Sequence, residues 1–136
     1  MIITDDIKQR IADLAQKYGL DLVVLFGSQA TGRTHPKSDV DIGYLSDQAL
    51  DYQKEFAIQE DLFRLFRRTD VELVNLSRIS PVMKKLVSDE GVVLYEREPG
   101  LFARFSMYAF KLFVETKKIR ELRYQSLKDF IYAGNK

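Results

Sequence analysis

Three carboxylates and a glycine–serine pair are the residues of this chain whose types and spacing could do chemistry. Asp39 and Asp41 stand one residue apart in "SDVDIG", downstream of Gly27 and Ser28 in "LFGSQATG", and Glu72 lies further along in "DVELVNL". Residues i and i+2 of a strand share one face, so Asp39 and Asp41 are expected to emerge side by side. A Glu72 on a neighbouring strand would stand about 4.8 Å away. Like charges gathered this closely repel and raise each other's pKa, so a fold that collects them in ionised form calls for a cation. Mg2+ is usually held by one or two carboxylates together with waters and substrate phosphates, and paired ions sit about 3.5–4 Å apart in phosphoryl-transfer sites. Two aspartates at i,i+2 spacing could bridge such a pair. Gly27, after a buried strand, lets backbone approach a ligand closely. Ser28 adds a hydroxyl, and the amides that follow can face an anion if a short helix begins there.

Composition narrows the alternatives. The chain has 136 residues, 46% hydrophobic and 30% charged, the size of one domain with a core of its own. It has no cysteine and a single histidine, His35, which excludes disulfides, thiolate metal sites and a histidine-based zinc site. Any metal must therefore take oxygen ligands, favouring magnesium, manganese or calcium. A net charge of +1 provides no global field for gripping a nucleic-acid backbone, so no direct nucleic-acid partner is expected. There is no apolar run of membrane-spanning length, and "MIITDDIKQR" is acidic where a signal peptide would be basic and then apolar. A soluble, unexported, cytoplasmic protein with no membrane association is the expectation. In the loop between the pair and the aspartates, Arg33, His35 and Lys37 could touch phosphate, although such loops are usually solvated.

The elements that must position these residues follow from periodicity. Thr4 can cap a first helix with Ile7, Ile11, Leu14 and Tyr18 at helical spacing and Gly19 at its end. "DLVVLF" (21–26) reads as a buried strand, and "DVDIGYL" (39–45) alternates, with Val40, Ile42 and Tyr44 opposite the aspartates. Residues 47–67 read as a long helix, "DVELVNL" (70–76) as a third strand, Ser80-Pro81 as the opening of a short helix closed by Gly91, and "VVLY" (92–95) as a fourth strand. After "REPG" a final helix is expected from about Leu101 to Phe130. The order implies an α/β or α+β fold: a small sheet of about four strands packed by helices.

Gly27-Ser28, ten residues, then Asp39-Val40-Asp41 resembles the signature of the DNA polymerase β-like nucleotidyltransferase superfamily. The short chain, with "VELV" and then "SDEGVVLYE" ending the sheet, further resembles the minimal nucleotidyltransferase (MNT) branch over roughly residues 5–98. The resemblance implies a minimal nucleotidyltransferase domain over 1–98, with 99–136 a C-terminal helical extension of the same domain. It also implies that Asp39 and Asp41 are metal ligands and catalytic residues, and that Gly27 and Ser28 hold the phosphates of ATP. Glu72 falls where a third carboxylate is expected, although Asp is more usual there in the family. Asp70, two residues earlier on the same strand face, is the competitor; Glu72 is preferred because strand residues flank it, while Asp70 sits at the strand's edge.

Members of the branch commonly act as antitoxins beside a HEPN-domain ribonuclease toxin, and some transfer AMP to a toxin tyrosine. The function implied is thus an antitoxin acting as a protein adenylyltransferase, with ATP as substrate, two Mg2+ ions and a hetero-oligomer with the toxin. An antitoxin that neutralises by binding alone, and an aminoglycoside nucleotidyltransferase, are the alternatives. The C-terminal segment is a candidate partner surface. Residues 99–136 hold eight Lys or Arg and three Asp or Glu, against 13 and 17 in residues 1–98, and residues 101–136 hold eight of the sixteen aromatics. Leu101, Phe105, Tyr108, Leu112, Ile119, Leu127 and Phe130 trace a stripe expected to pack on the body. Met107, Phe110 and Val114 form a second patch on the opposite side, either completing the core or receiving a partner.

Overall fold

The computed structural model describes residues 2–32 and 39–133. Helix α1 (Asp5–Tyr18) begins where the Ile7 amide donates to Thr4 Oγ1 at 3.2 Å, and it ends at Gly19 in the left-handed region, φ 71°. Strand β1 (Leu20–Phe26) follows, then a single helical turn, α2 (Ser28–Thr31), and strand β2 (Val40–Ser46). Helix α3 (Tyr52–Phe66), strand β3 (Val71–Asn75), helix α4 (Pro81–Glu90), strand β4 (Val92–Glu96) and helices α5 (Leu101–Glu115) and α6 (Lys117–Tyr132) complete the chain. The sheet order is β3-β2-β1-β4, with β1 antiparallel to both neighbours and β2 parallel to β3. This mixed four-stranded sheet with helices on both faces is the expected architecture.

The apolar run of β1 is explained by its central place. Val23 and Leu25 join a core with α1 and α3 on one face, through Ile11, Leu14, Ile58 and Leu62. Leu22, Val24 and Phe26 meet α4 and α5 on the other, through Val87 and Phe105. On β2 the alternation holds: Val40, Ile42 and Tyr44 all enter the first core. Gly43 points the other way, where Leu76 lies so close that an added Cβ would stand 2.5 Å from its Cδ2. Gly91 does end α4, but its φ of −70° is one any residue adopts. What the position demands is space, since a Cβ there would strike the Val87 carbonyl and lie 2.7 Å from Val24 Cγ1.

Two expected helices are redrawn. The long helix starts at Tyr52 rather than 47, because the Asp51 carboxylate caps it by accepting from the Lys54 amide at 2.8 Å. The single C-terminal helix is two, divided at Thr116 with φ −93° and ψ 1°. The Thr116 hydroxyl donates back to the Leu112 carbonyl at 2.7 Å, a local bond that competes with helix continuation. Arg120 braces the break by donating to Thr116 Oγ1 at 2.6 Å and stacking its guanidinium 3.9 Å from the Phe113 ring centre.

The stripe expected on that helix also divides. Phe105 is buried and Leu101 and Leu112 are partly so, but Tyr108, Ile119, Leu127 and Phe130 are exposed, as are Met107, Phe110 and Val114 of the second patch. No residue of α6 is buried. Among the described residues, no helix is long and apolar enough to cross a membrane.

Candidate functional site

Because β1 runs against β2 while β3 runs with it, the end of β1 and the starts of β2 and β3 meet at one end of the sheet. Phe26 pairs with Asp41, and Asp41 in turn pairs with Glu72. This ladder brings Gly27, Ser28, Asp39, Asp41 and Glu72 into one neighbourhood from three segments of sequence. His35, Arg33 and Lys37 lie outside the described residues.

Gly27 is the hinge of the arrangement. Its φ of 77° and ψ of −158° lie where side chains are strained, and a Cβ at this position would collide with Asp41 Oδ2. The carboxylate of Asp41 is thus seated against the backbone at the mouth of α2. From Gly27 the chain turns straight into α2, whose Ala30 amide donates to the Gly27 carbonyl at 3.1 Å. Ser28 heads the turn, half-buried, and its amide has no acceptor within the helix. Ser28, with its hydroxyl and amide, thus follows directly on the glycine against which Asp41 is seated.

Burial pushes the Asp41 carboxyl above the usual carboxylate range, and the charges of Glu72 and then Asp39 push it further. All three carboxylates are thus within electrostatic reach of one another. Among the described residues, no donor or cation satisfies Asp41. No group of three acidic or histidine side chains, among the described residues, stands close enough to grip an ion unaided. The donor set fits a hard divalent cation that completes its shell with waters and substrate phosphates, since its ligands are all oxygen and a half-buried carboxylate lacks a counter-charge.

Asp70 has a different environment. Arg68 donates to it in a fork, Nε to Oδ1 at 2.8 Å and Nη2 to Oδ2 at 2.6 Å, and this bond holds the Asp70 carboxyl below the usual range. Glu72 is exposed and carries no such clamp. The sequence reading missed Arg68. The signal was an arginine two residues before an aspartate across a helix–strand turn, which is weak because the pairing depends on Arg67 taking the left-handed region, φ 55°. Arg68 also feels the charge of Asp39, so it borders the acidic group.

The comparisons with known proteins identify the family. The family model described as Polymerase beta, Nucleotidyltransferase matches residues 9–100. The protein adenylyltransferase MntA of Aphanizomenon flos-aquae is 30% identical over 121 residues, covering 82% of this chain and 81% of its own. The protein adenylyltransferase MntA of Shewanella oneidensis is 34% identical over 93 residues, 65% of this chain and 66% of its own. Among solved structures, a toxin–antitoxin with AMP-PNP has a chain of TM-score 0.77 at 24% identity, over 89% of this chain and 98% of that one. A tri-AMPylated Shewanella oneidensis HEPN toxin in complex with MNT antitoxin has one of TM-score 0.73 at 21% identity, over 93% and 99%. At these identities the solved structures establish the shared fold. The family match over residues 9–100 and the curated relatives place the chain in its family: it belongs to the polymerase β nucleotidyltransferases, as a relative of the MntA protein adenylyltransferases.

Proposed function

We propose that this protein is an antitoxin that transfers AMP from ATP to a hydroxyl, a tyrosine by preference, of a cognate HEPN toxin. The observation that carries the reading is the seating of the Asp41 carboxylate against Gly27, at the mouth of a helical turn headed by Ser28. A nucleotide's phosphates fit beside Ser28, where a hydroxyl and an amide can donate and where the absent Cβ of Gly27 leaves room for close approach. Asp39 and Asp41, with Glu72 as the third carboxylate, would hold divalent metal, two Mg2+ ions in the fullest form. The metal supplies charge neutralisation at the phosphates and acidification of the attacking hydroxyl.

The remaining steps belong to the chain. The acceptor oxygen forms a bond to the α-phosphorus in line with the bond that breaks toward the β-phosphate, and pyrophosphate leaves. Glu72, exposed at the rim and unclamped, takes the hydroxyl proton, whereas Asp70 is held by Arg68. The apolar, basic outer faces of α5 and α6 receive the toxin. Exposed Met107, Phe110 and Val114, and an α6 with no buried residue, support that docking. Incubation with labelled ATP, Mg2+ and the cognate toxin should label the toxin. Absence of label with the wild-type protein overturns the enzymatic reading.

One observation favours a second reading, neutralisation by binding alone: among the described residues the carboxylates do not form a three-ligand grip by themselves. Equal protection from the toxin by Asp39→Asn/Asp41→Asn and wild type in a growth assay supports that reading. Loss of protection supports catalysis.

A further inference from the structure

The face of the sheet that carries Asp41 has a second concavity at its other end. A cavity of about 380 Å3 opens where β2 and β3 finish and α5 leans over them. Its walls are Leu45, Leu76, Leu101 and Phe105, and its charged lining is Lys84 and Arg104, with no carboxylate among its lining residues. That size lies in the range of small-ligand pockets, about 300–1,000 Å3.

Lys84 is the unusual member. At 8% exposure it is the one charged side chain buried among the described residues. Its ammonium donates to the carbonyls of Ile79 at 2.7 Å and Ser77 at 3.5 Å, which supply dipoles but no counter-charge. No carboxylate among the described residues lies within ion-pairing distance of it. Arg104, at the mouth, pairs among the described residues with Glu98 at 3.7 Å, with both side chains well exposed and their attraction screened by solvent. A buried cation without an anion is a standing electrostatic cost in the free protein, and an entering anion would relieve it.

The cavity is separate from the acidic end. Asp41, Gly43 and Leu45 succeed one another on the same face of β2, so Leu45 lies about 13 Å along the strand from Asp41. Leu76 packs over Gly43 between them. In the free protein the two ends differ in charge, with carboxylates at one and Lys84 and Arg104 at the other.

We propose that this cavity is a binding site for a small amphipathic anion, with a compact carboxylate or phosphate head against Lys84 and Arg104 and an apolar chain between Leu45, Leu76, Leu101 and Phe105. Calorimetric titration of the full-length protein with octanoate, octyl phosphate and octanol tests it. One of the two anions should show a single saturable site, and the preferred one identifies the head group. Octanol should bind about tenfold more weakly or not at all, and Lys84→Met should weaken the anion by about tenfold, the worth of one charge-assisted hydrogen bond. Arg104→Gln alters an exposed side chain, so it should fold normally and weaken the anion severalfold; it and the octanol comparison decide the matter if Lys84→Met does not fold. Three results would overturn the proposal: no saturable binding of either anion at millimolar concentration, equal affinity for octanol and octanoate, or displacement of the anion by ATP, which would make the cavity part of the nucleotide site.

Discussion

Along β2, Val40, Ile42 and Tyr44 turn to one face of the sheet and are 0–1% exposed beneath α1 and α3, while Asp41 and Leu45 turn to the other and keep part of their surface in solvent. The same strand thus serves stability on one face and carries the proposed site on the other. On the covered face, removal from water supplies the driving force, through Val40, Ile42 and the ring of Tyr44. On the open face the strand carries a carboxylate whose ionised form is penalised by burial and by two like charges. Such a group is a cost to the free protein that a bound cation removes, so the two faces should answer mutation in opposite ways.

The largest expected effect is on the open face. Asp41→Asn should lower AMP transfer by about 1,000-fold, as loss of a group holding the reacting charges does, when measured by label incorporated into toxin. The same substitution should raise the melting temperature of the metal-free protein near neutral pH. The sign follows from linkage: a folded-state pKa above the unfolded one means that wild-type stability falls as pH rises through the carboxylate range, with the penalty in full above it. The gain from Asp41→Asn should therefore shrink as pH is lowered below that range. A metal-free variant melting below wild type at neutral pH would break the contrast.

Gly27→Ala joins both effects, since a side chain there is strained at φ 77° and meets Asp41 Oδ2. It should cost about 100-fold in activity and about 1–3 kcal/mol in stability. On the covered face, Ile42→Ala should cost about 3 kcal/mol in urea unfolding while leaving transfer by the folded fraction intact. The competing carboxylates sharpen the comparison further: Glu72→Gln should lower transfer by about tenfold to 100-fold, and Asp70→Asn by about threefold or less. The reverse order would give Asp70 the role assigned to Glu72. The smallest effect is expected at Phe130 on α6, which is 82% exposed. Phe130→Ala should change stability by less than about 0.5 kcal/mol, yet weaken toxin capture in a titration of the two proteins.

The elements around the site were legible because each rests on local rules. The cap at Thr4, the left-handed Gly19 and the alternation of β2 depend on residues within a few positions of one another. Thr116 was missed because threonine tolerates helix, and its break depends on a hydroxyl choosing a carbonyl one turn back. The stripe expected on one helix was assigned the wrong surroundings at Tyr108 and throughout α6, where its residues are exposed. Periodicity records which side chains share a face and not whether anything covers it. The proposed docking role of those helices rests on that exposed surface.

The amino-acid order by itself offered the candidate site residues: the Gly27-Ser28 bend, the i,i+2 pair Asp39 and Asp41, and an acid on a later strand. Short-range geometry is written in adjacent residues, so those features could be read without coordinates. Only the tertiary structure decided that Asp41 lies against Gly27, that Glu72 stands opposite Asp41 while Arg68 clamps Asp70, and that Lys84 is buried facing a cavity without a counter-charge. These outcomes depend on which strands pair and which faces are covered. Both are set by packing between residues tens of positions apart, whose contacts no local pattern encodes.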